Sequence, residues 1–167
     1  MTDIESLYKR YAPDVRRFAL FLSGDPVMAD EITSDTFVSA WLVRERIRQP
    51  TVKSYLFAIA RNLYLDVQRR QYRHMELDER MTDKRIGAQM QMEQSAEVCA
   101  VLVALRQLPE MDRTSLLMRA LDELPYEEIG DALGIPMIAA KVKVHRARLK
   151  LMQIRKPWRQ VVPDTGE

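Results

Sequence analysis

Residues 136–159 hold eight Lys or Arg and no Asp or Glu. Within this run Ala140, Val144, Ala147 and Leu151 recur at i, i+4, i+7 and i+11, the inward stripe of a helix. Lys141, Val142, His145 and Arg148 then point the other way, with Lys143, Arg146 and Lys150 beside them. A basic helix face of this kind suits a polyanion. A guanidinium reads the guanine edge with two parallel hydrogen bonds, and lysines or further arginines neutralise phosphates. Arg148 and Lys141 are the base-reading candidates. Lys143, Arg146 and Lys150 are the phosphate candidates, and His145 suits either role.

Such a face must be presented by a partner element, and the residues in front supply one. Residues 126–133 make a short helix with Glu127 and Glu128 in its first turn, where carboxylates suit the helix dipole, and Ile129 and Leu133 on one face. Gly134 follows the last apolar residue, the usual place for a left-handed helix end. Pro136 opens the next helix, where its missing N–H costs nothing. This is the outline of a helix-turn-helix, whose second helix enters the DNA major groove. Residues 96–135 carry three basic and eight acidic residues, so the positive charge is concentrated on the last helix although the whole chain carries only +2.

The rest of the chain predicts an all-α protein. Apolar residues make up 47% of the 167, enough for real cores, while glycines number five and alternating β-branched runs are few. Residues 4–22 carry Leu7, Tyr11, Val15, Phe18 and Leu22 as one stripe, broken at residues 23–26. Residues 27–43 follow, with Ile32, Phe37, Ala40 and Trp41 as core candidates. A basic loop, residues 44–51, leads into the longest helix, residues 53–73, with Leu56, Ile59, Ala60, Leu63 and Val67 inward. Its other side carries Arg61, Asn62, Asp66, Arg69, Arg70 and Arg73.

Residues 71–94 lose the apolar period and mix both charges, which predicts a linker. Stripes resume at Val98, Val101, Leu102 and Leu105, then in residues 111–124. The expected organisation is therefore a helical domain over 1–73, a linker over 74–94, a helix-turn-helix domain over 95–157 and a tail over 158–167. Cys99 sits in an apolar helical run and reads as a small buried hydrophobe, with a redox role as the alternative. No apolar run is long enough to span a bilayer and no signal peptide is evident, so a cytoplasmic location without membrane insertion is expected. There is no nucleophile–base pair, Gly-rich phosphate loop or metal-ligand cluster, so neither catalysis nor a cofactor or metal is expected.

In order along the chain, several motifs resemble the extracytoplasmic-function sigma factors, small members of the sigma-70 family of bacterial RNA polymerase specificity subunits. Met28-Ala29-Asp30-Glu31-Ile32 with Asp35-Thr36-Phe37 and Ala40-Trp41 resembles the polymerase-binding part of region two. Tyr55 through Leu63 with Asp66 and Arg69-Arg70 resembles the promoter-melting helix. Leu105 to Pro109 with Arg113, Tyr126-Glu127-Glu128-Ile129-Gly130 and His145-Arg146-Ala147-Arg148 resembles region four. This chain departs from the family pattern at Met137-Ile138-Ala139-Ala140, where small and hydroxyl residues are usual, at Val142 and Leu149, and at Ser34 in place of a frequent Gln.

The resemblance implies a factor that binds core RNA polymerase, recognises the minus-ten and minus-thirty-five promoter elements and promotes transcription initiation. It also implies control by an anti-sigma factor. Asp30, Glu31 and Asp35 would meet basic residues of the polymerase; without that context they read as a solvated acidic face. Arg44, Arg46, Arg48 and Lys53, with Arg61, Arg69, Arg70 and Arg73, would supply charge for a melted strand. Asn62 offers donor and acceptor to an extruded base. Tyr64 and Tyr72 would stack on bases or pack half-buried. In region four Lys141, Val142, Lys143, His145, Arg146 and Arg148 would face the upstream element; an apolar Ile138 or Val142 meets a thymine methyl or a protein surface. The alternatives are a sigma-like decoy that binds a regulatory protein, and a helix-turn-helix repressor with an N-terminal oligomerisation domain. The basic loop and basic final helix are superfluous to the first. The Arg61-Asn62 helix and acidic segment are unexplained by the second.

Overall fold

A computed structural model describes residues 3–46, 52–75 and 95–154, and among them every regular element is helical. Seven α-helices follow in order: α1 Ile4–Ser23, α2 Pro26–Leu42, α3 Val52–Met75, α4 Ala96–Arg106, α5 Glu110–Asp122, α6 Tyr126–Leu133 and α7 Met137–Ile154, with a single 3₁₀ turn at Arg44–Arg46. The expected linker lies outside the described residues from 76 to 94, as does the tail from 155 onwards.

Local chemistry sets the ends. The Asp3 carboxylate accepts from the Ser6 N–H, and Asp25 accepts from Val27 and Met28, with Pro26 just inside α2. Ser95 caps α4 by accepting from Val98. Gly24 and Gly134 end α1 and α6 in the left-handed region at φ 70° and 68°. Glu123 closes α5 in the same way at φ 52°, a conformation that strains an L side chain.

In the first block (residues 3–75) α1, α2 and α3 pack around Phe18, Leu22, Ile32, Leu56 and Phe57, with the Phe18 and Phe57 rings stacked 4.8 Å apart. Buried Thr33 and Thr36 donate back to the Ala29 and Ile32 carbonyls, which satisfies their hydroxyls within the helix. In the second block (residues 95–154) α5, α6 and α7 enclose Leu116, Leu117, Met118, Ile129, Val144 and Leu151. The two blocks are in contact: α1 lies against α4 and α5, and α3 against α6. Their buried side chains form one continuous apolar cluster.

Candidate nucleic-acid interface

Ala140, Val144, Ala147 and Leu151 are all fully buried, so the stripe turns the opposite side of α7 outward. Gly130 makes the tight approach of α6 to α7 possible. A Cβ there would stand 2.7 Å from the Ile135 carbonyl oxygen and 3.3 Å from the Met137 nitrogen. On the outward side Lys141, Val142, His145 and Arg148 line a shallow hollow of about 280 Å³ with Tyr126. Four of the sequence-predicted residues are thus brought together. Ile138 and Val142 stay exposed at the start of the helix.

The expected phosphate contacts of this helix also have partners within the chain. Arg146 makes two parallel 2.8 Å hydrogen bonds to Asp112 at the start of α5, whose side chain is almost wholly shielded. That bond and the carboxylate's charge raise the Arg146 pKa above its ordinary value. Lys143 lies 3.9 Å from the same carboxylate, and Lys150 donates to the Gln107 carbonyl. All three stitch α7 to its own block.

The long helix α3 shows a similar division. Asn62, Arg69, Arg70 and Arg73 are exposed, with Arg69 weakly paired to Asp66 at 3.4 Å. Tyr72, 70% exposed, lines a groove of about 430 Å³ with Leu65, Gln68, Arg69 and Arg73. Tyr64 takes the packing alternative: it is buried, its hydroxyl accepting from Arg113 and from Gln68. Arg46 is exposed. Arg44 lies over the Trp41 ring at 3.9 Å and donates to the Trp41 carbonyl. Arg48 lies outside the described residues.

Arg61 and Lys53 face the second block. Arg61 bonds both oxygens of Glu110 at 2.7 and 3.0 Å. Burial would raise the Glu110 pKa, but the Arg61 and Thr114 hydrogen bonds and the charges of Arg61 and Arg113 outweigh it and hold the carboxyl low. Lys53 lies 3.2 Å from both Asp14 and Asp122. Burial alone would lower its pKa; the two carboxylates reverse that and raise it. Arg17 joins the cluster, reaching Asp122 and the Leu121 carbonyl at 3.3 Å. The Asp122 side chain is fully shielded, and burial, together with the charge of Asp14, pushes its carboxyl up against the pull of Lys53 and Arg17.

On the far side of the first block Asp30, Glu31 and Asp35 are exposed along α2, with Asp30 bonded to Arg16 at 2.7 Å. Beside them runs an apolar groove of about 320 Å³ lined by Ile4, Tyr8, Phe37, Val38, Trp41 and Leu42, where Val38 and Leu42 are 60% and 75% exposed. The sequence reading missed this groove. Its signal was the spacing of Val38 and Leu42, four apart and off the Ile32–Phe37–Ala40 stripe. It also missed Glu110, Asp112 and Asp122, which carry no local mark.

The family model described as Sigma-70 region 2 matches residues 7–74, and that described as Sigma-70, region 4 matches residues 100–151. Similar relatives include the ECF RNA polymerase sigma factor SigM of Bacillus subtilis, 29% identical over 89% of this chain and 92% of that protein. EcfG of Rhodopseudomonas palustris, also an ECF RNA polymerase sigma factor, is 30% identical over 83% of this chain and 77% of its own length. SigE of Mycolicibacterium smegmatis is 28% identical over 90% of this chain, which spans only 61% of that relative's length. In fold the chain is similar to the sigma factor RpoE solved with the anti-sigma factor NepR from Bartonella quintana (TM-score 0.76, 21% identity, 92% of this chain and 97% of that one).

Proposed function

This chain belongs to the extracytoplasmic-function group of the sigma-70 family, and from that premise we propose that it binds core RNA polymerase and directs it to promoters. It works as a binding subunit in the cytoplasm, and RNA synthesis belongs to the polymerase. No described helix is long and apolar enough to cross a membrane.

The first block, matched as region 2, docks on the polymerase through Asp30, Glu31 and Asp35, with the adjacent groove taking apolar side chains. Exposed acidic residues steer a basic partner and fix its register, while the desolvated groove holds it. The exposed edge of α3 handles the minus-ten element. Asn62 there has both a donor and an acceptor for a base edge, Arg69, Arg70 and Arg73 neutralise the strand, and Arg44 and Arg46 add charge from the preceding turn; the family resemblance assigns Arg48 to the same strand. The second block, matched as region 4, reads the minus-thirty-five element with Lys141, Val142, His145 and Arg148. An anti-sigma factor controls the whole. The two regions act as separate domains once the polymerase is bound, with residues 74–94 spanning them.

The observation that carries this reading over a repressor is the exposed acidic face of α2 beside its apolar groove. A repressor's oligomerisation domain would account for the groove alone; the acidic face beside it calls for a basic partner. Footprinting on promoter DNA with and without core polymerase tests the proposal. Protection of two elements only when polymerase is present is the expected result. Protection by the chain alone would identify a repressor, and absence of protection in both cases a decoy.

A further inference from the structure

Two of the cations that the sigma-factor resemblance assigns to the melted strand are held by the other half of the molecule. Arg61 is gripped by both oxygens of Glu110, and Lys53 by Asp122, with Arg17 alongside. The two carboxylates occupy the first and last residues of α5, about 18 Å apart at 1.5 Å per residue. The parallel two-bond grip on Arg61 is the geometry a guanidinium uses for phosphate.

Asp122 is poorly placed on its own account. It stands at the negative end of a helix, its side chain fully shielded, with Asp14 on the same lysine and one oxygen, Oδ2, lacking a hydrogen-bond partner. Lys53 and Arg17, converging from the first block, offset part of this. Both of these counter-charges come from the other block.

This closed arrangement is incompatible with reading two promoter elements at once. Elements centred about 25 base pairs apart lie about 85 Å apart along DNA at 3.4 Å per base pair. The longest helix, with 24 residues, spans about 36 Å.

We propose that α5 is an intramolecular stand-in for the nucleic-acid backbone: Glu110 and Asp122 hold the chain closed by occupying Arg61, Lys53 and Arg17, so that closure and strand binding exclude each other. The proposal rests on the sigma-factor reading for its consequence, but the clasp itself is testable without polymerase. Opening uncovers Arg61 and Lys53 at the moment the polymerase separates the two regions.

The test uses the full chain. Glu110→Gln with Asp122→Asn removes both anions and leaves every proposed DNA contact intact. Small-angle scattering should show the radius of gyration rising from about 15 Å, the value for a compact chain of this length, to about 20 Å or more. Affinity for a fluorescein-labelled single-stranded DNA of mixed sequence should rise about tenfold, as expected if the open state is about 10% populated in the parent. Arg61→Glu alone should open the chain, and Arg61→Glu with Glu110→Arg should close it again. Circular dichroism checks that helicity is kept; if the double variant loses it, the swap pair decides. An unchanged radius and unchanged DNA affinity in the folded double variant would overturn the clasp, as would a swap variant that stays as open as Arg61→Glu. Footprinting of the parent with polymerase tests the sigma-factor reading independently, so failure of either idea is told from failure of the other.

Discussion

Replacing Gly130 with Ala sets two effects of opposite sign against each other. Alanine in place of glycine inside a helix gains about 1 kcal/mol from backbone entropy and propensity. Here the added Cβ meets the Ile135 carbonyl oxygen at 2.7 Å, and the atoms behind it, the Met137 nitrogen and Cα, stand at 3.3 and 3.4 Å. All three are backbone, so no side chain can swing aside. The Ile135 N–H also donates to the Gly130 carbonyl at 2.9 Å, which ties the two segments together where they would need to part. Overpacking of this kind costs about 1–3 kcal/mol, and stretching the turn hydrogen bond adds about 1 kcal/mol. The clash wins, with a net loss of about 1–3 kcal/mol. For a cooperative unit of this size, at about 2–4 °C per kcal/mol, the melting temperature should fall by roughly 2–12 °C. Thermal unfolding of the full chain by circular dichroism measures it. Gly134→Ala is the comparison: its Cβ meets nothing within 4 Å, so only the strain at φ 68° remains, about 1 kcal/mol. A melting temperature for Gly130→Ala at or above the parent would refute the reasoning, because propensity would then outweigh a backbone clash.

Three further expectations concern the proposed sites. Reversing Asp30, Glu31 and Asp35 to Lys should weaken capture of core polymerase with little change in stability, since exposed charges contribute little to folding; capture at parent strength would place docking elsewhere. Asn62→Ala should spare closed-complex formation but reduce open complexes on duplex promoter, with partial rescue on a template mismatched across the melted region; equal loss on both templates would make Asn62 structural. Arg148→Ala should cost about 1–3 kcal/mol in promoter affinity and relax discrimination at one position of the upstream element. Arg146→Ala should instead lower the melting temperature and leave discrimination intact, because it strips two hydrogen bonds from the shielded Asp112 carboxylate. An Arg146→Ala protein of unchanged stability with a lower salt slope would return that residue to the phosphates.

Much of this protein is legible one element at a time. The caps at Asp3, Asp25 and Ser95, the left-handed ends at Gly24 and Gly134, and the inward stripe of α7 follow from interactions within a few residues, and turn chemistry and helical period report such interactions directly. The face of α7 bearing Lys141, Val142, His145 and Arg148 was readable for the same reason, since a stripe that must be buried names its opposite side. What the cations do there was not. Arg61 finds Glu110 across 49 positions, Arg146 finds Asp112 across 34, and Arg17 finds Asp122 across 105. Tyr64, left between base stacking and packing by its sequence, is buried beside Arg113. A basic residue on a polar helix face has the same local sequence whether it meets water, a phosphate or a carboxylate from a distant helix. Local sequence chooses the face, because backbone geometry repeats every 3.6 residues; only the packing of one block against the other chooses the counter-charge, because Coulomb attraction depends on distance in space and not along the chain.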